Sequence, residues 1–431
     1  MVRIQHMHQK QLIWIILILL LGVHQNGKAQ VKAVGLPVID NYNDLNTGEG
    51  TQNWDMVEDE AGNLYFANNA GVLKFDGEAW NLFPVNNGSE VRSLAHGNDG
   101  NIYVGAYTEI GRLVKDERGK TVYESLNHLI PESYQMFDDV WKIYQTRYGI
   151  IFQSFEYLFI LNEDTLKVIE PEDRFGFAYY TNNNLYVIEK NVGLRVYNGH
   201  GLVTVSGDPL FSRDEIRFIL PYRSNSLLIG AFTSGLYVYD NRSLTRWRTQ
   251  INNAANRSKL YCGILTGQQY AFGSVKDGLY IADLQGRVIQ HLNRSKGLQN
   301  NTILNVYSDQ GHNLWLGLDN GIDYLKTSLP ITFLNYNFNI ETAYASIVHR
   351  DRLYVGTNQG LFTKKMAELN NPNDIEFESV ANTDGQVWSL KVVDGELLCG
   401  HTNGAFRVSG TSSVKISYSL RDLFFRNERS I

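Results

Sequence analysis

The chain has 431 residues, with 39 Lys and Arg against 45 Asp and Glu, and a formal charge of −6. That balance, with no basic cluster, excludes binding of DNA, RNA or an anionic membrane through a charged face. Two cysteines exclude a disulfide-built scaffold, while 25 Tyr, 20 Phe and 38 Gly against 8 Pro suit short strands and tight turns.

Residues 1–29 stand apart. Arg3 and Lys10 form a basic start, residues 12–23 are apolar and uncharged, and Gly27 and Ala29 offer the small residues of a cleavage site. The apolar run falls short of the about 20 residues needed to span a bilayer. The pattern predicts a secretory signal peptide, a mature chain from Gln30 and a periplasmic location. Losing Arg3, Lys10 and Lys28 takes the formal charge to about −9. No second stretch of spanning length follows, so a membrane enters only through segments beyond this sequence.

From residue 63 onward one phrase returns nine times: an apolar triplet ending in a small residue, a few polar residues, then a glycine or its equivalent opening a second apolar run. The copies lie at 63–75, 101–113, 150–161, 184–197, 226–240, 269–281, 313–325, 352–362 and 396–406. In the clearest, Leu314-Trp315-Leu316 and Ile322-Asp323-Tyr324-Leu325 are strand-forming and Asp319-Asn320-Gly321 is a turn, which reads as a β-hairpin. The small position runs from Ala67 through Gly105, Ser154, Ile188, Gly230, Gly273, Gly317 and Gly356 to Gly400, in steps of roughly 42 residues. Glycine there implies that a neighbouring unit presses closely. A further apolar strand precedes each hairpin by ten or eleven residues, as Trp54 precedes Tyr65 and Arg92 precedes Tyr103. With a variable outer strand (Trp80 to Phe83 in the first unit), each repeat holds four strands. The fold expected is all-β, a propeller of four-stranded blades.

Seven repeats, over residues 30–328, suffice for one closed seven-bladed ring, with residues 31–43 supplying an outer strand to the last blade. The pattern resets after Pro330, and residues 329–431 carry about two blades of an incomplete second propeller. A single nine-bladed ring is the alternative. Two blades leave an open edge near residues 406–418.

Catalytic signatures are absent: no nucleophile elbow, no phosphate-cradling loop and no paired metal-binding histidines on a helix. His96, His200, His312 and His401 fall in expected turns and read as solvated. Asp44, Asn46 and Gly48 faintly resemble a calcium loop, but Glu49 stands where glycine is required, so no metal is expected. Asp138-Asp139 and the pair Glu170 and Glu172 read as solvated turn acids. Cys262 and Cys399 occupy different places in their repeats and read as buried thiols, not a disulfide. No cofactor is implied.

The stretch GTQNWDMVEDEAGNLYFANNAGVLKFDGEAW (residues 50–80), with Val140-Trp141-Lys142-Ile143, Val387-Trp388-Ser389-Leu390 and the Leu-Trp-Leu-Gly hairpin, resembles the two-component regulator propeller proteins. The resemblance covers about residues 31–407. It implies a periplasmic sensor that pairs two seven-bladed propellers with a triple-tyrosine domain, a membrane span and a kinase or helix-turn-helix output. None of those later parts occurs in this sequence, which reads as truncated before its output domain. Oligosaccharide ligands are implied by the resemblance alone.

One repeat position, on the strand nearest the axis, collects Trp54, Arg92, Trp141, Phe177, Arg217, Tyr261 and Leu304. A propeller converges these on one channel mouth, so the first six are the candidate ligand-binding residues, and no catalytic residue is assigned. Aromatic faces suit sugar rings, and the two arginines suit a carboxylate. Two guanidiniums in one channel call for a counter-charge, either an acidic ligand or an acidic neighbour. On the first choice, loss of either arginine should cost about 2–5 kcal/mol of binding with little effect on folding. The function expected is non-catalytic: a sensor domain binding a small molecule or oligosaccharide for a two-component or transcriptional regulatory system. The alternatives are an interaction scaffold in which these residues merely pack, and a propeller lyase or glycosidase. Nucleic acid is not a partner of this region; a homodimer is left open.

Overall fold

The computed structural model describes residues 34–43, 50–223, 225–334, 338–369 and 376–417. The segment read as a signal peptide, the calcium-like loop at 44–49 and the chain after 417 lie outside them. The described residues form nine four-stranded antiparallel sheets, as the repeat requires. The inner strands, in chain order, are Asn53–Glu58, Val91–His96, Lys142–Thr146, Phe175–Thr181, Ile216–Tyr222, Leu260–Thr266, Ile303–Ser308, Ala343–His349 and Val387–Val393. We number the blades 1 to 9 from these strands.

Close packing between blades explains the small residue. A Cβ at Gly105 would lie 2.6 Å from Val140 Cγ1 of blade 3, and one at Gly273 would lie 2.6 Å from Ile303 Cγ2 of blade 7. Gly356 meets Val387 of blade 9 in the same way, at 3.0 Å from its Cβ. Each contact joins the glycine of one blade to the opening residue of the next blade's inner strand, or in blade 3 to the residue two before it.

Blade 7 packs back on blade 1. A Cβ at Gly317 would collide with the backbone oxygen of Asn53. Across this seam Gln52 Nε2 donates to Asp319 Oδ1 at 2.7 Å, Asn53 Nδ2 to the Gly321 carbonyl at 3.1 Å, and Asn305 Nδ2 to Asp55 Oδ1 at 2.6 Å. Tyr42, Phe66, Phe75, Trp80 and Trp315 fill the space behind it with ring centroids 4.4 to 6.0 Å apart. The outer strand of blade 7 is Val38–Tyr42, paired antiparallel with Ile322–Lys326. Its Asn41 donates to the fully buried Asp323 at 2.6 Å, and Lys326 meets Asp40 at 2.8 Å. Both ends of a seven-blade segment thus share one sheet, which removes two free edges.

Blades 8 and 9 pack on each other outside that ring. Leu36 bridges to Phe333 through two main-chain bonds of 2.8 Å. Phe338, Ile340, Leu369 and Phe377 join the apolar cluster of blades 6 and 7.

Three features depart from expectation. A nine-residue helix, Gln250–Ser258, joins blades 5 and 6, and a four-residue helical turn, Leu210–Arg213, precedes blade 5. His401 is not solvated: it is 1% exposed, with Nε2 3.2 Å from the Thr383 carbonyl and Nδ1 accepting from Asn403 N. Asp139 is not a free turn acid but a partner of Arg92. Cys262 and Cys399 are both free thiols.

Candidate functional site

The inner strands of blades 1, 2, 5, 6 and 7 begin alike. Their first residue (Asn53, Val91, Ile216, Leu260, Ile303) is at most 3% exposed, locked under the preceding blade. The register then slips between the first and third residues, at Asn53/Asp55, Val91/Ser93, Ile216/Phe218, Leu260/Cys262 and Ile303/Asn305. Blade 4 slips between Phe175 and Ala178. A bulge leaves one residue without a cross-strand partner and re-aims its side chain. Those residues are Trp54, Arg92, Arg217, Tyr261 and Leu304, with Phe177 in blade 4. In blade 3, Trp141 stands just ahead of the strand, its N–H donating to the Gln153 carbonyl at 2.8 Å.

All seven line one central cavity of about 300 Å³ at the mouth of the channel. They do not lie loose in it. The Arg92 guanidinium is held between two indoles, 4.3 Å from the Trp54 ring and 5.3 Å from Trp141, which themselves meet edge to face at 6.1 Å. The Arg217 guanidinium lies 3.5 Å over Tyr261 and 5.1 Å from Phe177. Each arginine is therefore clamped between aromatic residues of the two flanking blades, a geometry worth more as water is excluded.

Each guanidinium also carries its own counter-charge. Arg92 pairs with Glu90 and, through Nε at 3.2 Å, with Asp139; Arg217 pairs with Glu215. The reason the arginines gave for an acidic ligand at the mouth therefore falls away, because acids two residues upstream neutralise both. The expectation that losing Arg92 would barely touch folding is corrected for the same reason: its side chain is 15% exposed and bonded on several sides.

Two donors remain unmatched. Trp54 Nε1 and Arg92 Nη1 are buried without a hydrogen-bond acceptor among the described residues. Buried donors left so cost about 1–3 kcal/mol each, so each calls for an acceptor such as an ordered water or a bound group.

Below the mouth the lining turns polar, with Lys142, Tyr144, Tyr179 and Asn305. Asp55 lies under it, bridging blades 7, 1 and 2 by accepting from Asn305 Nδ2 at 2.6 Å and Leu94 N at 3.2 Å. Burial raises its carboxyl pKa against the opposing Lys142 charge and these bonds. Burial likewise pushes Tyr261 up, with Arg217 opposing, and the Cys262 thiol up to about 12. No histidine or carboxylate lines the central cavity, and no cluster of metal-ligating side chains occurs among the described residues.

Sequence reading missed Phe155 and Phe232. Both stand in loops between the second and third strands of their blades; Phe155 stacks on Trp141 at 5.8 Å and Phe232 lies 5.6 Å from the Arg217 guanidinium. A usable signal existed for the clamps: Glu90-Val91-Arg92 and Glu215-Ile216-Arg217 repeat one pattern three blades apart.

No family model matches the sequence, and no curated protein matches it. Solved structures do. The extracellular domain of the putative hybrid two-component system BT3049 from B. thetaiotaomicron superposes with a TM-score of 0.63 at 15% identity, over 90% of this chain and 55% of that one. The corresponding domain of BT4673 from the same organism gives 0.53 at 18%, over 88% and 53%. Virginiamycin B lyase from Staphylococcus aureus gives 0.51 at 13%, over 67% of this chain and 98% of that one. At these identities the likeness establishes a β-propeller. The chain spans about half the length of the two B. thetaiotaomicron domains.

Proposed function

We propose that this protein is an extracytoplasmic ligand-sensing propeller that takes a small, ring-containing ligand, a saccharide in particular, at the channel mouth. The supporting observation is the pair of buried, unmatched donors, Trp54 Nε1 and Arg92 Nη1, set in a wall of aromatic faces. A sugar ring offers what both need: an apolar face for stacking and hydroxyl oxygens that accept hydrogen bonds. The likeness to extracellular domains of two-component systems supports a sensing role, and residues 1–29 support export to the periplasm. A catalytic role, suggested by the lyase likeness, would require an acid or base in the cavity, and its lining offers as proton carriers only Lys142, tyrosines and the Cys262 thiol, which burial pushes up to about 12.

The test is isothermal titration of the exported chain with a panel of neutral and acidic oligosaccharides, repeated for Trp141→Ala and Tyr261→Ala. Removing either stacking face should weaken binding about tenfold or more. Unchanged affinity in both variants would place the ligand elsewhere.

A further inference from the structure

Beside the mouth a second cavity of about 370 Å³ opens between blades 4 and 5. It shares Phe177 with the central cavity, and its Phe155 stacks at 5.8 Å on Trp141 of that cavity, so the two adjoin. Its wall is apolar, with Phe211 packed beneath the helical turn Leu210–Arg213, while Arg174, Lys190 and Arg213 also line it. The acids there are already engaged. Asp214 accepts from the hydroxyls of Thr233 and Ser234 at 2.7 and 2.6 Å and from both their N–H groups, and Glu215 is held by Arg217.

The cations are only loosely engaged or not engaged at all. Arg174 is 53% exposed, lies 5.0 Å over Phe155, and approaches Glu156 and Asp138 only at 3.7 and 3.9 Å. The side chains of Lys190 and Arg213 are exposed and carry no hydrogen bond or ion pair with the described residues. The charge arrangement thus differs from the mouth: the arginines under the ligand ring are neutralised by close acids, while beside it Arg174 is held only at 3.7 and 3.9 Å and Lys190 and Arg213 carry no ion pair with the described residues.

We propose that this groove is an anion subsite, and that the ligand is an acidic saccharide of at least two units. One ring occupies the mouth against Trp141 and Tyr261. The adjoining unit lies along Phe155 and Phe177 and presents its carboxylate or sulfate to Arg174, Lys190 and Arg213. The inference rests on the saccharide reading of the mouth. It differs from that reading in placing the selection for charge in the groove and not at Arg92 or Arg217. Guanidinium and ammonium groups at a half-open rim favour carboxylate and sulfate oxygens and lose that preference as salt screens them.

The experiment is calorimetric titration of the whole exported chain with a galacturonic acid trisaccharide, its methyl ester and a sulfated chondroitin disaccharide. The ester has the rings and length of the acid without its charge. At low salt the acid or the sulfated sugar should bind about tenfold or more tighter than the ester, and the excess should vanish near 0.5 M salt. Arg174→Ala/Lys190→Ala/Arg213→Ala should bring the acidic probes down to the ester while the ester's own affinity and the melting temperature stay put. Trp141→Ala should weaken all three. Equal binding of acid and ester, or an acid preference that survives the triple variant, overturns the groove inference and leaves the mouth reading standing. No binding by any of the three likewise overturns the groove inference.

Discussion

The seam between blades 7 and 1 decides whether seven blades form a ring, and Gly317 is its most sensitive atom-sized probe. Gly317→Ala places a methyl against the Asn53 backbone oxygen, 3.2 Å from the carbonyl carbon and 3.3 Å from Asn53 Cβ. The obstacle is main chain, so it cannot rotate away, and Asn53 is itself fixed by its bond to the Gly321 carbonyl at 3.1 Å. Overpacking of this kind costs about 1–3 kcal/mol. Gly201→Ala is the matched control, because a Cβ there meets nothing within 4 Å and its φ lies outside the left-handed region. Both substitutions stiffen the unfolded chain by about 0.4–1 kcal/mol, which cancels in the comparison. Urea unfolding followed by tryptophan fluorescence should therefore show Gly317→Ala less stable than Gly201→Ala by about 1–3 kcal/mol, with an unchanged slope. Coincident midpoints would mean that blade 7 does not press on blade 1, and the closed seven-blade ring would be wrong.

Removing residues 30–43 takes away the strand Val38–Tyr42, bares the edge Ile322–Lys326 and strips Asn41 from the buried Asp323. The truncated chain should melt earlier and associate in light scattering, and melting like the full chain would show that this strand does not close the ring. Arg92→Ala should lower stability by about 1–3 kcal/mol, since it uncovers two indoles and leaves Asp139 unpaired; an unaltered melt would return Arg92 to the class of free ligand contacts. Burial pushes Asp59 and Asp99 up, but hydrogen bonds from Asn63 and Tyr65, and from Asn101 and Tyr103, outweigh it and hold both carboxyls below their usual value. The stability they supply is present above the unfolded carboxylate range and lost as pH falls through the lower folded values. The gap in urea midpoint between wild type and Asp59→Asn/Asp99→Asn should therefore be open at pH 7 and close toward pH 3, and a pH-independent gap would refute the assignment. Both thiols are pushed up to about 12 by burial, so in the native protein at pH 8 they should react with a disulfide reagent about 10³-fold more slowly than after unfolding.

The blade period was legible because it is written in residues that packing allows few substitutes for. Gly105, Gly273, Gly317 and Gly356 each face a neighbouring blade that leaves no room for a Cβ. Blade 4 obscures the signal by inverting it: Ile188 fills the small position and Gly176 opposite makes the space, with a Cβ there 3.2 Å from Ile188. The mouth residues were legible as a repeat position, but the bulge that turns them into the channel was not, because a slip of one residue leaves no mark in composition. The helix Gln250–Ser258 was missed because its run of asparagines reads as loop. Its Asn252 is 4% exposed and accepts from Leu236 N at 2.8 Å, a tertiary contact that fixes it in place. His401 and Asp139 were misjudged for a related reason: turn residues look solvated until the partner, Thr383 or Arg92, is known.

The division of labour within each inner strand explains how one scaffold can carry different mouths. The first residue is locked by the preceding blade and tolerates little change: Val91, Ile303 and Val387 are all fully buried. The second is released by the bulge and answers only to the channel. Blades 2 and 5 place there an arginine with its acid two residues earlier, and blades 1 and 6 place Trp54 and Tyr261. Blades 8 and 9 follow the same rule, with Tyr344 and Trp388 at the slips Ala343/Ala345 and Val387/Ser389, stacked at 5.0 Å and 43% and 47% exposed. Ala343, with no preceding blade against it among the described residues, is exposed where Val387 is buried. The burial of the first residue thus reports a neighbouring blade, while the identity of the second reports the chemistry of the mouth. Substitutions at the second position should therefore alter ligand choice at smaller cost to the ring than substitutions one residue earlier, except where, as at Arg92, the side chain has been bonded into the wall.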